Sequence, residues 1–243
     1  MLTTTLVISA ASSALPTSLW GWELMRRRRV ELQYNIRVAQ SLGHAATLRD
    51  HETGAHNYRV AYLSSLFGEA SGLGRAEMRG LMKGAFLHDV GKIGIPDNIL
   101  LKEGPLDEAE LVVMREHPSM GVKLLADMPW FQDAIPVVLH HHERFDGTGY
   151  PDALAGEAIP LAARIFSVID VFDALLASRA YKAAFSLQKT LQTLDDESAS
   201  HFDPAIINRF LKLAPAFFDL VAGLSEQELR AMLETRRRKM FGI

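Results

Sequence analysis

Cysteine is absent from all 243 residues of the chain, which excludes disulfides, thiolate zinc sites, iron–sulfur clusters and cysteine nucleophiles together. Any metal must therefore be held by histidine and carboxylate. A charge excess of either sign is also missing. The 26 basic and 29 acidic side chains leave a formal charge of −3, so no broad basic field is available for duplex nucleic acid. Long apolar runs are scarce. Residues 6–22 come closest, but serines, Thr17 and Pro16 interrupt them, and they fall short of the roughly 20 residues a bilayer-spanning helix needs. No basic residue precedes this run, unlike a secretory signal. Arg26, Arg27, Arg28 and Arg29 follow it, as at a cytoplasmic membrane edge. Residues 1–29 are read as an ill-defined leader on a cytoplasmic protein, in preference to a membrane-proximal anchor.

Alternating strand runs flanked by hairpin turns are missing as well, and helical periodicity takes their place. Met78, Leu81, Met82, Ala85 and Phe86 recur at i, i+3, i+4, i+7 and i+8, the stripe of an amphipathic helix. Ile165, Val168, Ile169, Phe172 and Leu176 repeat it, and Val60, Leu63, Leu66 and Phe67 give a shorter version. Asp107 with Glu110, and Ser225 with Glu228, have capping-box spacing. The chain reads as all-α. Residues 30–48 read as a lead-in helix that could pair with a second copy, making a homodimer. Two glycine- and proline-rich segments, residues 91–105 and 145–160, read as loops, and long loops in a helical domain are usually functional. The division expected is a leader at 1–29, a main domain at 30–213 and a helical extension at 214–243.

The nine histidines carry the functional signal. His140, His141 and His142 are consecutive, and His88 adjoins Asp89 at the end of a helical stripe. His56 lies one helical turn beyond Glu52, His117 precedes Pro118, and Asp170 interrupts an apolar stripe where an unpaired carboxylate is expensive. Taken singly, each could be a hydrogen-bonded core residue. Together they suggest a shared centre, and mixed nitrogen and oxygen donors suit iron, manganese or zinc. Spacing alone leads to a helical protein with a multinuclear metal site.

The segment His88-Asp89-Val90-Gly91-Lys92 resembles the HD signature of metal-dependent phosphohydrolases, and Arg144-Phe145-Asp146-Gly147-Thr148-Gly149-Tyr150-Pro151 resembles the defining loop of the HD-GYP subfamily. The stretches beginning at Glu52, His117, Asp170 and Ser178 occur in the same family order. The resemblance implies an HD-type helical bundle with extra helices and a GYP loop. Its implied metal ligands are Glu52, His56, His88, Asp89, His117, His141, His142 and Asp170, with Asp89 bridging, His140 left out, and two or three divalent ions of iron or manganese. Lys92 is the implied catalytic partner of Asp89 and contacts substrate phosphate. Arg179 and Lys182 would hold the second phosphate, and Tyr150 is a candidate substrate contact. Asp50 and Asp173 are candidates for orienting imidazole ligands. His201 and Asp203 read as a structural helix entry.

The activity implied is hydrolysis of cyclic di-GMP to linear pGpG, GMP or both. The same resemblance leaves open an HD phosphohydrolase for another cyclic dinucleotide, or a non-catalytic receptor. The GYP loop could also dock a diguanylate cyclase or another signalling protein.

Overall fold

Helix accounts for most of the backbone in the computed structural model, which describes residues 14–49, 54–177 and 184–242. The helices are α1 Ala14–Arg49, α2 Gly54–Ala70, α3 Arg75–Leu87, α4 Asp97–Leu100, α5 Glu108–Met114 and α6 His117–Leu125, followed by α7 Ile135–His140, α8 Leu161–Leu176, α9 Leu187–Asp196, α10 Pro204–Val221 and α11 Glu226–Phe241. Tight 3₁₀ turns occupy Val90–Gly94, Pro129–Ala134 and Gly156–Ala158. Among the described residues there is no sheet, only the isolated bridges Asp146–Ala155 and Ser198–Phe202. The fold is an all-α helical bundle, as expected.

The chain falls into two compact units, Met1–Val38 and Ala39–Ile243. In the first, helix α1 already includes residues 14–29, where an ill-defined leader was expected. Its exposed Glu23 carboxylate accepts hydrogen bonds from Arg26 and Arg27, one helical turn away. Among the described residues, no helix is long and apolar enough to cross a membrane.

In the second unit, α2 packs against α3, α8 and α11, and α3 also lies against α7 and the 129–134 turn. Phe67, Phe166, Phe172 and Phe210 are fully buried. The Phe210 ring meets Phe67 and Phe172 edge-on, with centroids 5.2 and 5.1 Å apart. Burying each such ring contributes roughly 1.5–3 kcal/mol. The capping boxes expected from the sequence close α5 through Asp107 and Glu110, and α11 through Ser225 and Glu228. Asp203 caps α10 by accepting from the Ala205 and Ile206 main-chain N–H groups, with Pro204 in the first turn.

One detail differs from the expectation. Residues 91–105 are not simply a loop: the Val90–Gly94 turn and α4 occupy much of them. Arg49 steadies this stretch by donating to the carbonyls of Ile93 and Ile95 and pairing with Asp97. Position 213, the expected end of the main domain, falls inside α10.

Candidate metal centre

The centre is built from the ends and faces of five helices. His56 lies in the first turns of α2. His88 caps the C-terminus of α3, and Asp89 opens the 3₁₀ turn after it. His117 begins α6, His141 caps α7 with His142 next in the chain, and Asp170 sits in the last two turns of α8. One close approach sets the spacing. A methyl group at Gly91 would lie 1.8 Å from the His117 carbonyl oxygen and 2.5 Å from the Gly121 nitrogen. Only glycine lets the 90–94 turn approach α6 closely enough for His117 to face Asp89.

Seven of the expected residues come together in two groups, Asp89 with His117, His141 and His142, and His56 with His88 and Asp170. Asp89 spans both. Its Oδ2 is 3.2 Å from His88 Nε2, while its Oδ1 is 3.2 Å from His117 Nε2 and 3.8 Å from His141 Nε2. Asp170 Oδ1 stands 3.5 Å from His56 Nε2 and 3.8 Å from His88 Nε2. Lys92 Nζ is 2.7 Å from Asp89 Oδ2. Glu52, Arg179, Lys182 and Asp50 lie outside the described residues.

Hydrogen bonding fixes the protonation pattern of four imidazoles. The Nδ1 atoms of His88, His117 and His141 face the carbonyl oxygens of Ala85, Met114 and Val138 at 3.0, 2.9 and 3.0 Å. His56 Nδ1 is 2.7 Å from Asp173 Oδ2. Each of those partners can only accept, so each Nδ1 carries the hydrogen and, in the neutral ring, Nε2 is left as an acceptor. All four Nε2 atoms then turn towards the carboxylates Asp89 and Asp170. His117 Nε2 and His141 Nε2 are only 3.3 Å apart. Acceptors converging on acceptors repel unless a cation lies among them, so this donor set fits one or more divalent ions.

Electrostatics agree. Burial pushes the Asp89 carboxyl up, but its charged surroundings, the Lys92 ammonium first among them, hold it well below its ordinary value. Burial, then the neighbouring His141 and His117, press His142 well below the usual imidazole value, and burial lowers His141 too. Both rings are therefore neutral and able to bind a metal near pH 7. Phe166 closes one wall, its ring 4.9 Å from that of His88.

Asp173 orients His56, as the sequence suggested, but the residue that holds Asp173 was missed. Arg59 binds both carboxylate oxygens, through Nε at 2.5 Å and Nη2 at 2.7 Å. Burial opposes ionisation of Asp173, yet Arg59 and His56 bring it down to about 2. The available signal was position: Arg59 is three residues beyond His56, on the same face of α2.

Tyr150 stacks on His142 with centroids 4.8 Å apart, and Arg115 lies over the tyrosine ring. Its loop is tied down by Glu143, whose buried carboxylate accepts the Asp152 and Leu154 main-chain N–H groups at 2.8 and 3.1 Å. A side chain at Gly149 would strike the Arg144 nitrogen at 2.3 Å.

A helical bundle whose histidines and aspartates converge in an arrangement able to coordinate divalent ions defines a class of proteins. A family model described as the HD domain matches residues 40–206, and the chain belongs to that family. It is 42% identical over 197 residues to a cyclic di-GMP phosphodiesterase of Vibrio cholerae, covering 75% of this chain and 40% of the relative. It is 44% identical over 173 residues to the cyclic di-GMP phosphodiesterase response regulator RpfG of Xanthomonas campestris, covering 70% of this chain and 46% of the relative. A 3'3'-cGAMP-specific phosphodiesterase of Vibrio cholerae is 36% identical over 204 residues, covering 83% of this chain and 38% of the relative. The chain thus spans less than half the length of each of these relatives. Among solved structures, a cyclic GMP-AMP specific phosphodiesterase of V. cholerae shares the fold with a TM-score of 0.60 at 18% identity, covering 84% of this chain and 59% of that one.

Proposed function

We propose that this chain is a metal-dependent phosphodiesterase that hydrolyses cyclic di-GMP to linear pGpG, GMP or both. The observation carrying the reading is the convergence of four imidazole acceptors on two carboxylates. The names of relatives 42% and 44% identical to it support the choice of substrate. In this reading Asp89, His117, His141 and His142 would hold one ion and His56, His88 and Asp170 another, Asp89 lying between the two groups. Glu52 would complete a third position by family resemblance. Iron or manganese suits this nitrogen and oxygen donor set.

When bound, such ions supply an activated water near neutral pH and draw charge from the phosphoryl oxygens. The remaining work belongs to the side chains. Lys92 places a point charge beside Asp89, where an anionic phosphate approaches. The Nδ1 contacts of His56, His88, His117 and His141 keep those four imidazoles in the metal-binding tautomer. Phe166 and the Tyr150 ring line the centre with apolar surface, which strengthens charge interactions within it. Arg179 and Lys182 are assigned to the uncut phosphate by resemblance. The stacking of Tyr150 on His142 supports assigning that ring to the substrate-facing wall.

A second reading, 3'3'-cGAMP as substrate, is favoured by a relative so named that aligns with 83% of this chain. Incubating manganese- or iron-loaded protein with each cyclic dinucleotide and separating the products decides between them. Linear pGpG or GMP from cyclic di-GMP is the expected result. Cleavage of cGAMP alone would favour the second reading, and binding of either nucleotide without cleavage would overturn both in favour of a receptor.

A further inference from the structure

A third mixed group, His140, Glu143 and Asp152, lies outside the set used above. The Glu143 side chain is wholly enclosed, and a carboxylate there is expensive unless its charge is met. Two main-chain N–H groups, of Asp152 and Leu154, donate to it, and among the described residues no lysine or arginine pairs with it. His140 Nδ1 is buried and has no hydrogen-bond partner among the described residues. That nitrogen stands 3.7 Å from Glu143 Oε1 and 3.8 Å from Asp152 Oδ2.

These separations are too long for hydrogen bonds. They are the right length for a shared ion. Two donor atoms each about 2.1 Å from one cation lie roughly 3.0–3.8 Å apart when the angle between them is about 90–130°. One imidazole and two carboxylates form a donor set suited to zinc or manganese. A divalent ion would also cancel the two carboxylate charges, one of them enclosed.

We propose that His140, Glu143 and Asp152 form a further divalent-cation site, separate from the centre assembled around Asp89. The cation joins the end of α7, which continues into His141 and His142, to the far side of the glycine-rich loop just after Pro151. It thereby clasps the loop that lays Tyr150 on His142. This inference does not depend on which nucleotide the centre cleaves, or on whether it cleaves one.

Equilibrium dialysis of metal-stripped protein against manganese tests it, comparing the full chain with Asp152→Asn. That substitution keeps the main-chain N–H that bonds Glu143, and it falls on a half-exposed side chain, so the fold is retained. Wild type should bind one manganese per chain more than the variant, and His140→Ala should show the same deficit. The difference of one equivalent should persist when both proteins also carry Asp89→Ala, which separates this site from the main centre. With manganese, the Asp152 and Leu154 amides should exchange with deuterium at least about tenfold more slowly in wild type and show no such change in Asp152→Asn. Equal manganese counts for wild type and Asp152→Asn would mean that the gap holds a proton or a water molecule, and would overturn the proposal. Amide exchange indifferent to manganese would overturn the clasp.

Discussion

Asp89 turns one carboxylate oxygen to His88 and the other to His117 and His141, so no single replacement serves both sides. Asp89→Ala should bring turnover below detection and remove metal from both groups, as read by product separation and elemental analysis; activity near wild type would contradict the assignment. Asp173 acts one step back, holding His56 through Nδ1. Loss of such a supporting contact typically costs 10–100-fold in metal affinity. Asp173→Asn should weaken binding by about that factor, and Arg59→Met should move affinity in the same direction, both measured by manganese titration. Lys83 offers a test away from the centre. Burial lowers its pKa, against the opposing pull of Asp133, and its ammonium lies over the Trp130 ring. The folded state thus sheds this proton at lower pH than the unfolded chain does. Between the folded pKa and the ordinary lysine value of about 10.4 the unfolded state binds more protons, so unfolding free energy rises with pH across that window. Urea melts just below pH 10.4 should show this slope, and Lys83→Met should flatten it.

At the scale of elements, the positioning of the centre depends on how closely the 90–94 turn meets α6. Gly91→Ala places a methyl group against main chain that cannot swing aside, so a loss of about 1–3 kcal/mol or more is expected in denaturant unfolding, together with weaker manganese binding. The helices themselves were legible in the sequence because their apolar stripes and capping boxes are local signals. The gathered histidines and aspartates were legible because family motifs place them, although spacing alone does not say which ones meet. The partnership of Arg59 with Asp173 was not legible. Its two members are 114 residues apart, and a surface arginine and an orienting one look alike along a chain. Glu143 was hidden for a similar reason, since its partners are main-chain N–H groups that any sequence would supply. The tight turns within residues 91–105 were masked by glycines and prolines, which punctuate loops and 3₁₀ turns alike.

At the scale of the whole molecule, a cluster of acceptors facing one another should make the metal-free protein less stable than the loaded one. A ligand present at 100 times its Kd stabilises a fold by about 2.7 kcal/mol. Manganese should therefore raise the unfolding midpoint in calorimetry, and a chelator should return it; a midpoint indifferent to both would mean that the folded centre does not bind the ion. The gathered donors run from His56 to Asp170 along the chain, on helices that meet only once the bundle has closed. A growing polypeptide that has emerged as far as the histidine triplet still lacks Asp170 and the Asp173 brace. The donor set of His56, His88 and Asp170 is therefore complete only once synthesis has passed α8, whereas that of Asp89, His117, His141 and His142 is complete at the triplet.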